Sequence, residues 1–166
     1  MTLPDPNPLI DSLAEQVAPF MKPDCALLGI HTGGAWVMEA LAERLQADVP
    51  RGTLDISFYR DDFSRIGLHP EVKTSSIPFD IEGRHVLLID DVLYTGRTIR
   101  AAMNLVFDYG RPAAIRLAVL VDRPGRELPI CADFVGARLD LAPGQHVSLQ
   151  RGDDNGLKLM LGRTGG

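Results

Sequence analysis

Val86-Leu87-Leu88-Ile89-Asp90-Asp91-Val92-Leu93-Tyr94-Thr95-Gly96-Arg97-Thr98 is the stretch on which the fold turns. Its first four residues are apolar with no alternation, which predicts a strand over residues 86–89 buried on both faces. Two carboxylates stand where that strand ends, and a short turn with one glycine leads into a helix. A helix start carries free N–H groups and a partial positive charge, so it takes phosphate readily. Carboxylates beside it accept hydrogen bonds from sugar hydroxyls. Taken singly, the acids read equally well as a helix cap and a solvated turn residue, and Thr98 as an N-cap. Their succession is what suits a sugar phosphate.

Working outward, residues 8–20 have helical apolar spacing through Leu9, Ile10, Leu13 and Val17, and residues 25–30 form a short apolar run. His31-Thr32-Gly33-Gly34 reads as a tight turn, followed by an amphipathic helix over residues 35–46. Residues 52–59 alternate through Leu54, Ile56 and Phe58 and read as a strand. A helix over residues 98–109 closes on Gly110, which suits the left-handed position after a helix end, and Pro112 blocks continuation. Residues 115–121 predict another buried strand. Residues 132–135, 147–150 and 157–161 read as short strands finishing the sheet edge. Strands separated by helices imply an α/β fold, with a mostly parallel sheet and right-handed crossovers. Ligands bind such sheets outside the carboxyl ends of the strands, where every motif above falls. The expectation is one domain over residues 1–166.

Composition narrows the classes. The chain of 166 residues is 45% hydrophobic and 23% charged, ordinary for a soluble globular protein. No apolar run reaches the roughly 20 residues of a membrane helix, and the first residues lack the basic and apolar regions of a secretory signal. We therefore expect a cytoplasmic protein with no membrane partner. Cys25 and Cys131 are isolated, without a CxxC pair or a Cys/His cluster, and read as packing thiols. The net charge of −5 gives no general attraction to nucleic acid. Among 17 basic residues only Lys22, Lys73 and Lys158 are lysine, and arginine favours bidentate phosphate contacts.

The stretch 86–98 resembles the phosphoribosyl-pyrophosphate (PRPP) signature of type I phosphoribosyltransferases. Asp55-Ile56-Ser57-Phe58-Tyr59-Arg60-Asp61-Asp62, the run from Asp90 to Thr98, Gly110-Arg111-Pro112, Leu117-Ala118-Val119-Leu120-Val121-Asp122-Arg123 and Arg126-Glu127-Leu128-Pro129-Ile130 together resemble one family, in order. That family is PyrR, the pyrimidine-operon attenuation regulators that are also uracil phosphoribosyltransferases. The resemblance spans about residues 27–136 and fades beyond.

The resemblance implies a type I phosphoribosyltransferase fold with a flexible hood loop over residues 60–76. It implies conversion of uracil and PRPP to UMP and pyrophosphate, with magnesium (Mg2+) held mainly by PRPP. Asp90 and Asp91 would be the catalytic acids, holding the ribose hydroxyls. Val92, Leu93, Tyr94, Thr95, Gly96, Arg97 and Thr98 would wrap the 5′-phosphate. Thr32 and Gly33 would take pyrophosphate, although the family pattern has arginine where Gly33 stands. His69 would be the basic ligand contact of the hood loop, against the alternative of a solvated histidine. Arg123 would lie on the base and pyrophosphate side, against the alternative of an ion pair with Glu127, and backbone near Val147 would read the base. The family usually continues Gly-His-Arg-Glu after that arginine, where this chain has Pro124-Gly125-Arg126-Glu127. It also lacks the family's Lys-Asn-Ile-Pro-Thr-Ser run over residues 136–144. The resemblance further implies a homo-oligomer, dimer or tetramer. The alternative it implies is a UMP-sensing regulator that binds pyrimidine-operon leader messenger RNA, with weak or no catalysis.

Overall fold

Strands without polar residues are driven to the middle of a sheet, and the two most apolar runs take that place. In the computed structural model, which describes residues 2–46, 48–57 and 75–163, β1 (Cys25–Ile30) and β3 (His85–Leu93) pair in parallel. Cys25 lies opposite His85 and Gly29 opposite Ile89. β2 (Arg51–Leu54) lies outside β1. β4 (Ala114–Asp122) and then β5 (Phe134–Arg138) lie beyond β3. The order is β2-β1-β3-β4-β5, and each pairing is parallel.

Strand alternation divides the apolar residues between two layers. Leu27, Leu87, Ile89 and Leu120 face α1 (Pro6–Val17) and α2 (Gly33–Leu45), meeting Ile10, Leu13, Met38 and Leu41. Leu28, Leu88 and Val119 face the opposite way, onto Ile99, Ala102 and Val106 of α3 (Arg97–Tyr109). α1 begins cleanly because the Asp5 carboxylate accepts from Asn7 N–H at 3.0 Å and Pro6 opens the first turn. It ends earlier than its apolar spacing suggests, passing into a 3-10 turn over Ala18–Phe20 at Pro19.

Several expectations need correction. β3 does not stop at Ile89: it runs through both acids to Leu93, with Asp90 opposite Val119 of β4. α2 begins at Gly33, two residues early, so both glycines lie in its first turn. Among the described residues β2 ends at Leu54, and residues 58–59 of the predicted strand lie outside them. Gly110 ends α3 with φ 155° and ψ −177°, not in the left-handed helical region. The late strands do not all finish the sheet. Only β5 does, whereas β6 (Gln145–Arg151) and β7 (Leu157–Arg163) form a separate antiparallel hairpin. That hairpin buries Val147, Leu149 and Leu159 in the α1–α2 layer.

The thiols part company. Cys25 is buried, and burial pushes its thiol pKa up, whereas Cys131 is exposed and is not a core thiol. At the opposite pole from the strand carboxyl ends, His85 Nδ1 and Asp24 Oδ2 pair at 2.9 Å. That hydrogen bond holds the Asp24 carboxyl below its ordinary 3.8. A carboxylate depressed in the folded state stabilises the fold above its unfolded pKa and loses that contribution as pH falls through the folded value. Wild type should therefore lose thermal stability more steeply than Asp24→Asn on acidification from about pH 5. Because Asp24 is exposed, the difference is small. Parallel melting curves for the two proteins would show the pair to be inert.

Candidate active site

The carboxyl ends of β1, β3 and β4 meet at one rim, and each is followed by a turn that the sequence marks with glycine or a polar residue. At β1, the His31–Thr32 peptide bond is cis, and Thr32 is the N-cap of α2 without a side-chain capping bond. At β3, Gly96 (φ 95°) is the N-cap of α3 and brings no side chain either. Thr98 is therefore the second helical residue, not the cap. Thr95 Oγ1 accepts from Arg97 N–H at 3.2 Å. Two helix starts on adjacent strands thus face the same rim: α2 has no side-chain cap, whereas at α3 the Thr95 hydroxyl already takes the Arg97 N–H, and the first-turn N–H groups left over suit an anion.

The acids lie between these two helix starts. Asp90 is buried, and its Oδ1 accepts from Asp91 N–H at 2.9 Å. Asp91 Oδ1 accepts from Val92 N–H at 2.8 Å. The first turn of α2 is pressed against this part of β3. A Cβ on Gly34 would lie 2.4 Å from the Ile89 carbonyl oxygen and 3.0 Å from Asp90 Cα. A Cβ on Gly33 would lie 2.1 Å from Asp91 Oδ2. The second glycine admits the strand backbone; the first admits the carboxylate.

The loop after β4 holds the outer side of the turn Tyr94–Thr98. Thr95 O accepts from Glu127 N–H at 2.9 Å and Leu128 N–H at 3.2 Å. Arg97 Nε pairs with Glu127 Oε1 at 2.8 Å, an exposed pair of small energetic weight. Glu127 is therefore the partner of Arg97. Arg123 instead lays its guanidinium 3.9 Å over the Tyr94 ring, a cation–π contact. Its backbone N–H donates to Leu93 O at 3.0 Å, and its buried Nε has no hydrogen-bond partner.

The rim thus gathers Thr32, Gly33, Asp90, Asp91, the turn Tyr94–Thr98 and Arg123. Val92 and Leu93 lead into it, but their side chains pack into the two core layers. Val147 lies on β6 opposite Leu161, 7% exposed, in the same apolar cluster as Val92 and Trp36. His69 and most of the expected hood loop lie outside the described residues. Sequence reading passed over Arg126, whose guanidinium reaches Asp122 Oδ1 at 2.8 Å and also bonds the Tyr94 carbonyl oxygen. It also gave no role to Asp55. That carboxylate is buried at the end of β2 and accepts from Ser57 N–H at 2.9 Å and Ser57 Oγ at 2.5 Å. The Asp-x-Ser spacing was the available signal.

A parallel five-stranded sheet with an acidic pair between two helix starts is the arrangement of a phosphoribosyltransferase fold. The family model described as phosphoribosyl transferase domain matches residues 9–149. The fold is that of a hypoxanthine-guanine phosphoribosyltransferase from Bacillus anthracis, with TM-score 0.66 and 20% identity over 84% of this chain and 80% of that one. The chain is 55% identical over 143 residues to the bifunctional protein PyrR of Nitrosococcus oceani, covering 85% of this chain and 81% of the relative. It is 50% identical over 163 residues to that of Pseudomonas savastanoi, covering 96% of each. The chain belongs to the PyrR family.

Proposed function

We propose that this site transfers the ribosyl phosphate of PRPP to uracil, giving UMP and pyrophosphate. The observation that carries the reading is the acidic pair of β3 set between the starts of α2 and α3. Tyr94, Thr95, Gly96, Arg97 and Thr98 hold the 5′-phosphate on the start of α3. Thr32 and Gly33 hold the diphosphate on the start of α2. Asp90 and Asp91 fix the ribose hydroxyls and stabilise positive charge as it develops on the ribose when the C1–oxygen bond breaks. Magnesium fits a donor set of carboxylate and phosphate oxygens. Asp90 and Asp91 would hold it together with PRPP, and it would neutralise the departing diphosphate.

In this reading Arg123 is assigned to the base side, the backbone near Val147 to reading the base, and His69, which lies outside the described residues, to the basic ligand contact. The whole chain reads as one domain, because the β6–β7 hairpin shares its apolar layer with the sheet. The test is conversion of uracil to UMP that depends on both PRPP and magnesium, with hypoxanthine as a competing base. Preference for hypoxanthine would overturn the base assignment. Absence of both turnover and UMP binding would overturn the site.

The relatives are bifunctional PyrR proteins, which favours a second role: binding of pyrimidine leader RNA under control of UMP. A salt-dependent shift of leader RNA, strengthened by UMP, tests it. Self-association as a dimer or tetramer belongs to the same reading and is read by light scattering.

A further inference from the structure

We propose that Arg126 is a positioning residue that fixes the phosphate turn to the base side of the site. Its guanidinium bonds three acceptors on two segments of chain. Nη1 donates to the carbonyl oxygen of Tyr94, the first residue of the phosphate turn, and to that of Arg123 at 3.4 Å. Nη2 donates to Asp122 Oδ1 at 2.8 Å, on the last residue of β4. A planar fork with fixed donor directions can serve such a set at once, where an ammonium serves one point.

The same junction is closed from two further sides. The Arg123 guanidinium covers the Tyr94 ring at 3.9 Å. The backbone of Gly125 runs so close beneath that ring that a Cβ there would lie 2.3 Å from Tyr94 Cε1. Tyr94 nevertheless leaves 46% of its surface open, so the junction lies at the mouth of the site and not in the core. Removing the guanidinium strips an anchor from the Tyr94 carbonyl and leaves the Asp122 carboxylate, 14% exposed, without its close cation. Arg138 stands 4.0 Å away. The bonds from Glu127 and Leu128 to Thr95 remain, so the turn keeps its existence and loses its placement.

This inference rests on the proposed assignment of the 5′-phosphate to residues 94–98 and of pyrophosphate to Thr32–Gly33. The experiment is calorimetric titration of wild type, Arg126→Gln and Arg126→Lys with UMP, and separately with magnesium pyrophosphate, alongside thermal melting. The expected result is at least about tenfold weaker UMP binding in Arg126→Gln, a change well within what one charge-assisted contact supports. Pyrophosphate affinity should stay within about twofold, because the three acceptors of Arg126 lie outside the start of α2, and melting shows whether each variant is folded. Arg126→Lys should recover part of the loss. UMP affinity equal to wild type in Arg126→Gln overturns the inference, as does equal weakening of UMP and pyrophosphate. If Arg126→Gln does not fold, the Lys variant decides on the same two ligands. Wild type that binds neither ligand overturns the functional reading itself, a different outcome.

Discussion

The Asp90→Asn/Asp91→Asn double variant is expected to lose about 10³-fold or more of its PRPP-dependent turnover while remaining folded. The magnitude follows from removing preorganised charge at the point where positive charge develops. The fold should survive because the amides are nearly isosteric. Asparagine Oδ1 can still accept the bonds that Asp90 and Asp91 now take from the N–H groups of Asp91 and Val92, and a buried amide is easier to desolvate than a buried carboxylate. Turnover and thermal melting, measured on the same preparation, separate lost chemistry from lost structure. Turnover within tenfold of wild type, from a folded double variant, would remove the acids from the mechanism.

Gly33→Arg carries the second largest expected effect, and its sign is the informative part. The family pattern has arginine at this position, so one expectation is that the substitution supplies a missing cation for the diphosphate. The structure points the other way. A Cβ on residue 33 lies 2.1 Å from Asp91 Oδ2 and 2.6 Å from Asp91 Cγ. The Asp91 side chain must therefore leave its present rotamer and break its bond to Val92 N–H. Displacement of a reacting group by about 1 Å costs on the order of 10²-fold. We expect kcat to fall by that order even if the KM for PRPP improves. A Gly33→Arg protein faster than wild type would show that Asp91 moves without consequence.

The architecture was legible because apolar periodicity is a local signal. Two runs without alternation, at residues 25–30 and 86–89, could lie only in a covered parallel sheet, and they form its centre. The turn at residues 94–98 was legible as a strand-to-helix turn for the same reason: its residues are contiguous. What sequence reading misplaced depends on contacts between distant segments. Asp90 and Asp91 looked like loop residues because polar residues usually end a strand. They are instead held in it by pairing with β4, which no local pattern reports. The strand at residues 145–151 read as part of the edge because alternation says nothing about which neighbour a strand takes. Glu127 was weighed as a partner for Arg123, four residues before it, yet it pairs with Arg97 across a turn that only the fold brings near. Arg126 escaped notice because its role is to bond two main-chain carbonyls, and these leave no residue type to look for.

The inclusion of both acids in β3 has a consequence for how the protein fails. A catalytic group on a loop can be lost in a local opening that leaves the domain intact, and activity then fades below the melting temperature. Here Asp90 lies on the central strand β3 and is paired with Val119 of β4. No partial opening detaches it without separating the central strands. The placement of Asp90 and the integrity of the central strands therefore fail together, and a substitution that stabilises the sheet stabilises the proposed site with it.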